Sequence, residues 1–371
     1  MPITIESLRT GDEGQRHDQL SLAFARPSDR IRPFPPLDLT VCAYDGDRLV
    51  AAASIIDEGQ YYGGRVVPSG GIASVAVLPD MRGLDLARRV MREAFVRMLG
   101  MGAAISTLYP TTSSLYRSLG YEQAGANVIS RLALADLPSS PPPGHSFTPC
   151  GFDEVREQYD AMAPRYDGWL QRRDDRWASI QYDFESSPDQ HASFCVNRDG
   201  VSVGAILYRQ SQAEIHQAEI NAQLFAQDVP ALRALLALAA GHSTIAAGLR
   251  TQIPEWELCR AIDQSHRIHQ HFAMKWMTRV LDAPAAIAAR GYNPHVDVEV
   301  HVHLQDDALA MNNGPFVLRV RDGAGSLEPG GRGDLVLDVR DLAAYYTGYR
   351  TEHPALTAAF AGRPPTLVDF F

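Results

Sequence analysis

Tyr116 is the side chain of this 371-residue chain best suited to giving up a proton to a departing group. A phenol titrates near pH 10, so it stays protonated at neutral pH and can donate to a leaving thiolate. Its surroundings, Leu115-Tyr116-Arg117-Ser118-Leu119-Gly120-Tyr121, read as a short helix stopped by a glycine. Two tyrosines flanking such a stop are also what core aromatics look like. We assign the chemical role to Tyr116 and the core role to Tyr121.

A second chemical element lies upstream. Ile72-Ala73-Ser74-Val75-Ala76-Val77-Leu78 reads as an apolar strand stopped by Pro79. The basic loop Met81-Arg82-Gly83-Leu84 then opens a helix at Leu86-Ala87-Arg88-Arg89. A helix N-terminus presents unpaired N–H groups and a positive dipole end, which suits a pyrophosphate. Arg82, Arg88 and Arg89 add positive charge nearby. The strand can offer Val75 and Val77 main-chain groups to an extended, amide-bearing ligand, and Pro79 helps it part from a neighbour. Pantetheine, with two amides and a thioester, is such a ligand. A strand–turn–helix packing unit with a solvated basic face would carry the same loop, so the loop alone does not decide.

Other chemistries find less support. His266, His269 and His271 lie close together, and His301 and His303 alternate on one strand face, but neither group has the converging ligands of a metal site. No metal is expected, and no P-loop or G-x-S-x-G elbow occurs. The net charge of −10 argues against a nucleic-acid partner and would favour a cationic small molecule. No stretch reads as a membrane span or a signal peptide. Cys42, Cys150, Cys195 and Cys259 are far apart in sequence, as expected of reduced thiols in a cytoplasmic protein.

The length calls for two or three domains of mixed α/β (α+β) class. Residues 1–138 hold a helix over Asp18–Ala25 and a hairpin turning at Asp45-Gly46, then the strand, loop and helix above and a strand at Ala103–Leu108. The proline-rich stretch Pro138–Gly144 is the clearest linker. A second α/β unit, 150–283, repeats strand then helix: Val201–Tyr208, Glu219–Phe225, and a helix capped by Asp228 before Leu232–Ala240. It lacks an Arg-Gly loop and is expected to bind no cofactor. A third unit, 284–371, contains Val296–Leu304 as a half-buried antiparallel strand, followed by Phe316–Val320, Leu335–Val339 and a helix over Asp341–Tyr346.

The loop resembles the signature of GNAT N-acetyltransferases, Arg/Gln-x-x-Gly-x-Gly/Ala after a strand, standing here as Arg82-Gly83-Leu84-Asp85-Leu86-Ala87. Asp85 replaces the central glycine. Its carboxylate opposes a pyrophosphate, although an aspartate at a helix start can cap it or pair with the arginines. The whole chain resembles the enhanced intracellular survival (Eis) family. The resemblance rests on Ser74–Pro79, Leu115–Tyr121, Met277–Pro284, Leu335–Leu342 and the final Phe371.

The resemblance implies two fused acetyltransferase-like domains, the first alone functional, then a sterol-carrier-like domain, assembled as homohexamers. It implies an acetyl-CoA site built from Val75, Ala76, Val77, Arg82, Gly83, Leu84, Asp85, Leu86, Ala87, Arg88, Thr111 and Thr112. Tyr116 would protonate the coenzyme A sulfur, and the Phe371 carboxylate would be the general base. The expected activity is acetyl transfer to an amine of a small molecule. The alternative is a non-catalytic or repurposed relative that binds a small molecule, its cofactor site weakened by Asp85.

Overall fold

The computed structural model describes residues 2–25, 36–187, 189–211 and 218–369, without the side chains of residues 271–273. The chain forms two compact units. The first joins Met1–Gly125 to Lys275–Pro365 and takes in Asp369, and the second spans Ala126–Met274 with Thr366–Val368.

The first unit opens with β1 (Thr4–Ser7), α1 (Glu13–Phe24), β2 (Thr40–Asp45), β3 (Arg48–Tyr62) and β4 (Arg65–Val77). It continues with α2 (Leu86–Gly100), β5 (Ile105–Leu108), α3 (Ser113–Arg117) and the start of β6 (Glu122–Ala133). Strands β1 to β4 pair antiparallel in sequence order, and β5 joins β4 in parallel. The Asp45-Gly46 signal holds: Asp45 pairs with Arg48 across the β2–β3 turn. The strand expected at Ile72 is the end of a longer one, because β3 and β4 form an extended hairpin turning at Gly63-Gly64. Helix α2 buries Leu86, Val90, Met91, Ala94, Phe95 and Met98 on this sheet. That stripe repeats every three to four residues, as an amphipathic helix requires.

The second unit contains the rest of β6, then β7 (His145–Pro149), α4 (Phe152–Met162), β8 (Leu170–Gln171), α5 (Asp174–Glu185), β9 (Gln190–Arg198) and β10 (Val201–Gln210). Next come β11 (Ala218–Ala226), α6 (Val229–Ala240), β12 (Ala246–Thr251), α7 (Glu255–Ala261) and the start of β13 (His269–Val280). The run β9–β10–β11–α6–β12 repeats β2–β3–β4–α2–β5, with β12 parallel to β11. The connection differs. Only Gln227 and Asp228 separate β11 from α6, and the Asp228 carboxylate accepts from Ala231 N at 2.9 Å. The turn that could cradle a phosphate in the first unit is therefore missing, and this helix start is closed by its own cap. The sequence separation of the four cysteines misleads in one case: the β7–β9 pairing brings Cys150 and Cys195 into side-chain contact as free thiols.

Returning to the first unit, the end of β13 pairs antiparallel with β5, Met277 facing Leu108. There follow α8 (Ala283–Ala289), β14 (Val298–Gln305), β15 (Gly314–Arg321), β16 (Ala324–Pro329), β17 (Leu335–Asp338), α9 (Val339–Tyr346) and α10 (Pro354–Ala359). The expected alternation on β14 is present, with Val300, Val302 and Leu304 buried. Its pairing is mixed, antiparallel to β15 and parallel to β17. His301 is not a plain solvent-facing residue. Its Nδ1 accepts from Arg332 N at 3.1 Å, where the glycine-rich stretch after β16 crosses the strand.

Candidate active site

Strands β4 and β5 pair from Ser69↔Ile105 to Ile72↔Leu108 and then part. β4 runs on to Val77, still held on its other side by β3 through Ala52↔Ala76 and Ala51↔Val77. Its last residues thus leave main-chain groups facing a gap. Leu78 N donates to Val50 O at 2.9 Å. Antiparallel alternation then turns the N–H and C=O of Val77, and of Val75 two residues earlier, toward the gap. Ala76 points its main chain the other way, toward β3. An extended amide-bearing chain can add to β4 as a further strand here.

The loop after β4 begins as a single 3-10 turn, Pro79–Met81. Arg48 anchors it, meeting both oxygens of Asp80 at 2.7 and 3.0 Å and holding that carboxyl below its usual range. Arg82, Gly83, Leu84 and Asp85 are exposed, and Gly83 sits at φ +83° with open space where a side chain would be. Leu86 opens α2 and is buried, with Ala87 and Arg88 half-buried in the same first turn. Asp85 adopts φ 57°, a left-handed conformation that aspartate tolerates better than most residues. Its carboxylate does not cap α2 but pairs with Arg88 Nη1 at 2.7 Å, leaving the helix N-terminus without a side-chain cap. Arg89 does not contribute to the loop, since its Nη2 donates to Ile3 O, just before β1, at 2.9 Å.

Arg88 also reaches α3, donating from Nε to Ser118 Oγ at 2.9 Å. Tyr116 lies on that helix. It is buried, its ring stands edge-on to Tyr121 at 6.0 Å, and burial pushes its hydroxyl up to about 12. Among the described residues the hydroxyl has no recorded hydrogen-bond partner. Tyr121 is a core side chain, fully buried with its hydroxyl 2.7 Å from Ser106 Oγ. Thr111 and Thr112 are exposed just before α3, Thr112 Oγ1 lying 3.2 Å from Ser114 Oγ.

Two supports for these elements carry no signal in a single sequence. Arg279 on β13 is buried, donates to Leu119 O and bridges both oxygens of Asp306 at 2.7 and 2.8 Å. Gly120 sits at φ +84° directly over this guanidinium, and a Cβ there would lie 1.5 Å from Arg279 Nη1. Arg16 on α1 is buried beside Ser74, donating from Nη2 to its carbonyl at 2.7 Å. At the far end of the chain, Tyr109, which follows β5, donates from its hydroxyl to Asp369 O at 2.8 Å. Phe371, the expected base, lies outside the described residues.

An uncapped helix N-terminus, an open glycine, an unpaired strand edge and a buried phenol together suit a pantetheine thioester ending in a pyrophosphate. The opposing charge of Asp85 is met by Arg88. No group of histidine, cysteine, aspartate or glutamate among the described residues could hold a metal ion, and no described helix is long and apolar enough to cross a membrane.

Comparison with known proteins agrees with this geometry. An acetyltransferase (GNAT) domain family matches residues 4–124, and a sterol carrier protein domain family matches residues 283–363. The N-acetyltransferase Eis of Mycobacterium tuberculosis is 25% identical over 352 residues, covering 90% of this chain and 84% of that one. A GCN5-related N-acetyltransferase from Kribbella flavida superposes with a TM-score of 0.85 at 26% identity, covering 100% of this chain and 98% of its own. One from Anabaena variabilis shares the fold at a TM-score of 0.89 and 24% identity, with both chains fully covered. The fold and site define an acyltransferase of the GNAT class carrying a sterol-carrier-like domain. Within that class, the chain is similar to the N-acetyltransferase Eis over 90% of its length.

Proposed function

We propose that this acetyltransferase transfers the acetyl group of acetyl-CoA directly to an amine of a small molecule. The parting of β4 from β5 after Ile72 carries the reading, because it leaves Val75 and Val77 free to pair with pantetheine amides. Arg82, Gly83, Leu84, Asp85, Leu86, Ala87 and Arg88 would hold the pyrophosphate, with Thr111 and Thr112 at its edge. Arg82, which makes no ion pair among the described residues, brings positive charge. Val75 and Val77 would fix the thioester carbonyl.

Tyr116 would act on the leaving sulfur. With a hydroxyl pushed up to about 12, it is a weaker acid than a thiol near 8.5. It therefore stabilises the developing thiolate by donating a hydrogen bond, and where the sulfur takes the Tyr116 proton the phenolate recovers one from solvent. We assign that removal to the Phe371 carboxylate. Support comes from the Tyr109–Asp369 hydrogen bond, which fastens the chain beside the end of β5. Two further residues span at most about 7 Å.

The same reading divides the chain into a catalytic domain (1–138), a second acetyltransferase-like domain without a cofactor loop (150–283) and a sterol-carrier-like domain (284–371). It takes the molecule as a cytoplasmic homohexamer, a point that light scattering checks. The function itself is tested by titrating the protein with acetyl-CoA and following acetylation of a panel of amines by mass spectrometry. Binding together with a mass gain of one acetyl group on an amine supports it, whereas neither at millimolar donor refutes it.

A further inference from the structure

We infer that Arg16 is a positioning residue for acyl transfer, acting by holding a bulge in β4 that decides which main-chain groups face the donor. The inference rests on the donor reading of the β4–β5 gap given above.

The β3–β4 register pairs Ser54 with Ala73 and Ala52 with Ala76. Two β4 residues, Ser74 and Val75, therefore stand opposite the single residue Ala53. This is a β-bulge, and it shifts every later residue by one. Val50 accepts from Leu78 N in the observed register. With no bulge, the pairing seen before it would continue and set Val77 opposite Val50 and Val75 opposite Ala52. Both valines would then spend their N–H and C=O groups on β3, and Ala76 would face the gap instead. The bulge is what frees Val75 and Val77.

Nothing local favours it. Ser74 is not a glycine, yet it adopts φ 56°, a left-handed conformation that L-residues avoid. Its carbonyl leaves the ladder and needs a donor in a half-buried setting. Arg16 supplies one at 2.7 Å, and its other contacts fix the guanidinium: Nη1 reaches Gln19 Oε1 at 2.7 Å and Nη2 reaches Ser54 Oγ at 3.2 Å. Gln19 Nε2 in turn lies 3.5 Å from Ala76 O, just past the bulge. Arg16 is fully buried, and the anionic groups that commonly accompany a buried guanidinium are absent from these contacts. Its polar contacts converge on the two strands at the bulge.

The role acts through backbone phase, so a glycine should partly replace it. Four proteins are compared: the parent chain, Arg16→Met, Arg16→Lys and the double variant Arg16→Met with Ser74→Gly. Acetyl-CoA binding is read by calorimetry, and kcat and both KM values by steady-state assay. Arg16→Met is expected to raise the acetyl-CoA Kd and KM at least tenfold while leaving the amine KM within about twofold. Arg16→Lys, which keeps a donor, and the double variant, which relieves the left-handed strain, should each recover most of the loss. Circular dichroism at the assay temperature shows which variants are folded, and the lysine and double variants keep the test open if the methionine variant is not. Folded variants that bind acetyl-CoA like the parent overturn the role of Arg16. Absence of binding by the parent chain would instead overturn the donor reading itself.

Discussion

Arg279 Nη2 lies 2.7 and 2.8 Å from the two carboxylate oxygens of Asp306, in a pair shut away from solvent. The carboxylate is otherwise satisfied by Ala308 N, Leu309 N and Asn312 Nδ2, and the guanidinium's remaining arm supports Leu119 O, three residues beyond Tyr116. A buried ion pair adds little net stability, but removing one partner strands the other. Asp306→Leu or Arg279→Met alone should therefore cost about 3–5 kcal/mol of unfolding free energy. The double replacement should cost clearly less than the sum, as read from denaturant melts in a double-mutant cycle. Simple additivity would deny that the pair acts as a unit.

Tyr116→Phe should lower kcat by about 10²–10⁴-fold with acetyl-CoA binding nearly unchanged, because only the transition state uses the hydroxyl. Its titration adds a signature. Burial raises the folded hydroxyl from 10 to about 12, so the folded state binds the proton more tightly than the unfolded chain. The stabilising contribution is complete below pH 10 and is lost as pH rises toward 12. The parent chain should lose more stability than Tyr116→Phe across that alkaline window, measured by urea melts at each pH. Equal losses would place Tyr116 elsewhere than a buried, neutral setting.

How far the sequence reveals this site depends on the range of the physics. The Asp45-Gly46 hairpin and the Asp228 cap of α6 are legible because turn and cap chemistry is decided within a few residues. The turn after β4 and the start of α2 are legible for the same reason. Arg16 and Arg279 are not, since each acts on a carbonyl remote in the chain, Ser74 and Leu119, and a lone arginine carries no sign of its partner. The direction of the Asp85 carboxylate is equally hidden, because capping α2 and pairing with Arg88 both satisfy local rules.

Asp85 offers a prediction of opposite sign to most substitutions. Asp85→Gly removes a left-handed side chain and a negative charge from the donor loop, so acetyl-CoA should bind several-fold more tightly. Asp85→Asn keeps the backbone preference and removes only the charge, which separates the two effects. Isothermal titration at low and high salt reads both, and the gain from Asp85→Asn should shrink as salt rises. Weaker binding in both variants would mean that the Asp85–Arg88 pair organises the loop.

Moving the terminal carboxylate tests the assignment of Phe371. One glycine added after Phe371 should reduce kcat by at least tenfold without changing acetyl-CoA binding, whereas an extension with no effect on kcat would remove that carboxylate from the mechanism.

The most direct measurement is calorimetric titration of acetyl-CoA into the parent chain and into Val77→Pro. Proline deletes one N–H that faces the gap and leaves the Leu78 N–H to Val50 O hydrogen bond available, so the ladder to β3 can persist. The account predicts one acetyl-CoA per parent chain and at least tenfold weaker binding to the folded proline variant. Equal binding by both, or none by the parent chain, would contradict the claim that the parted edge of β4 receives the donor.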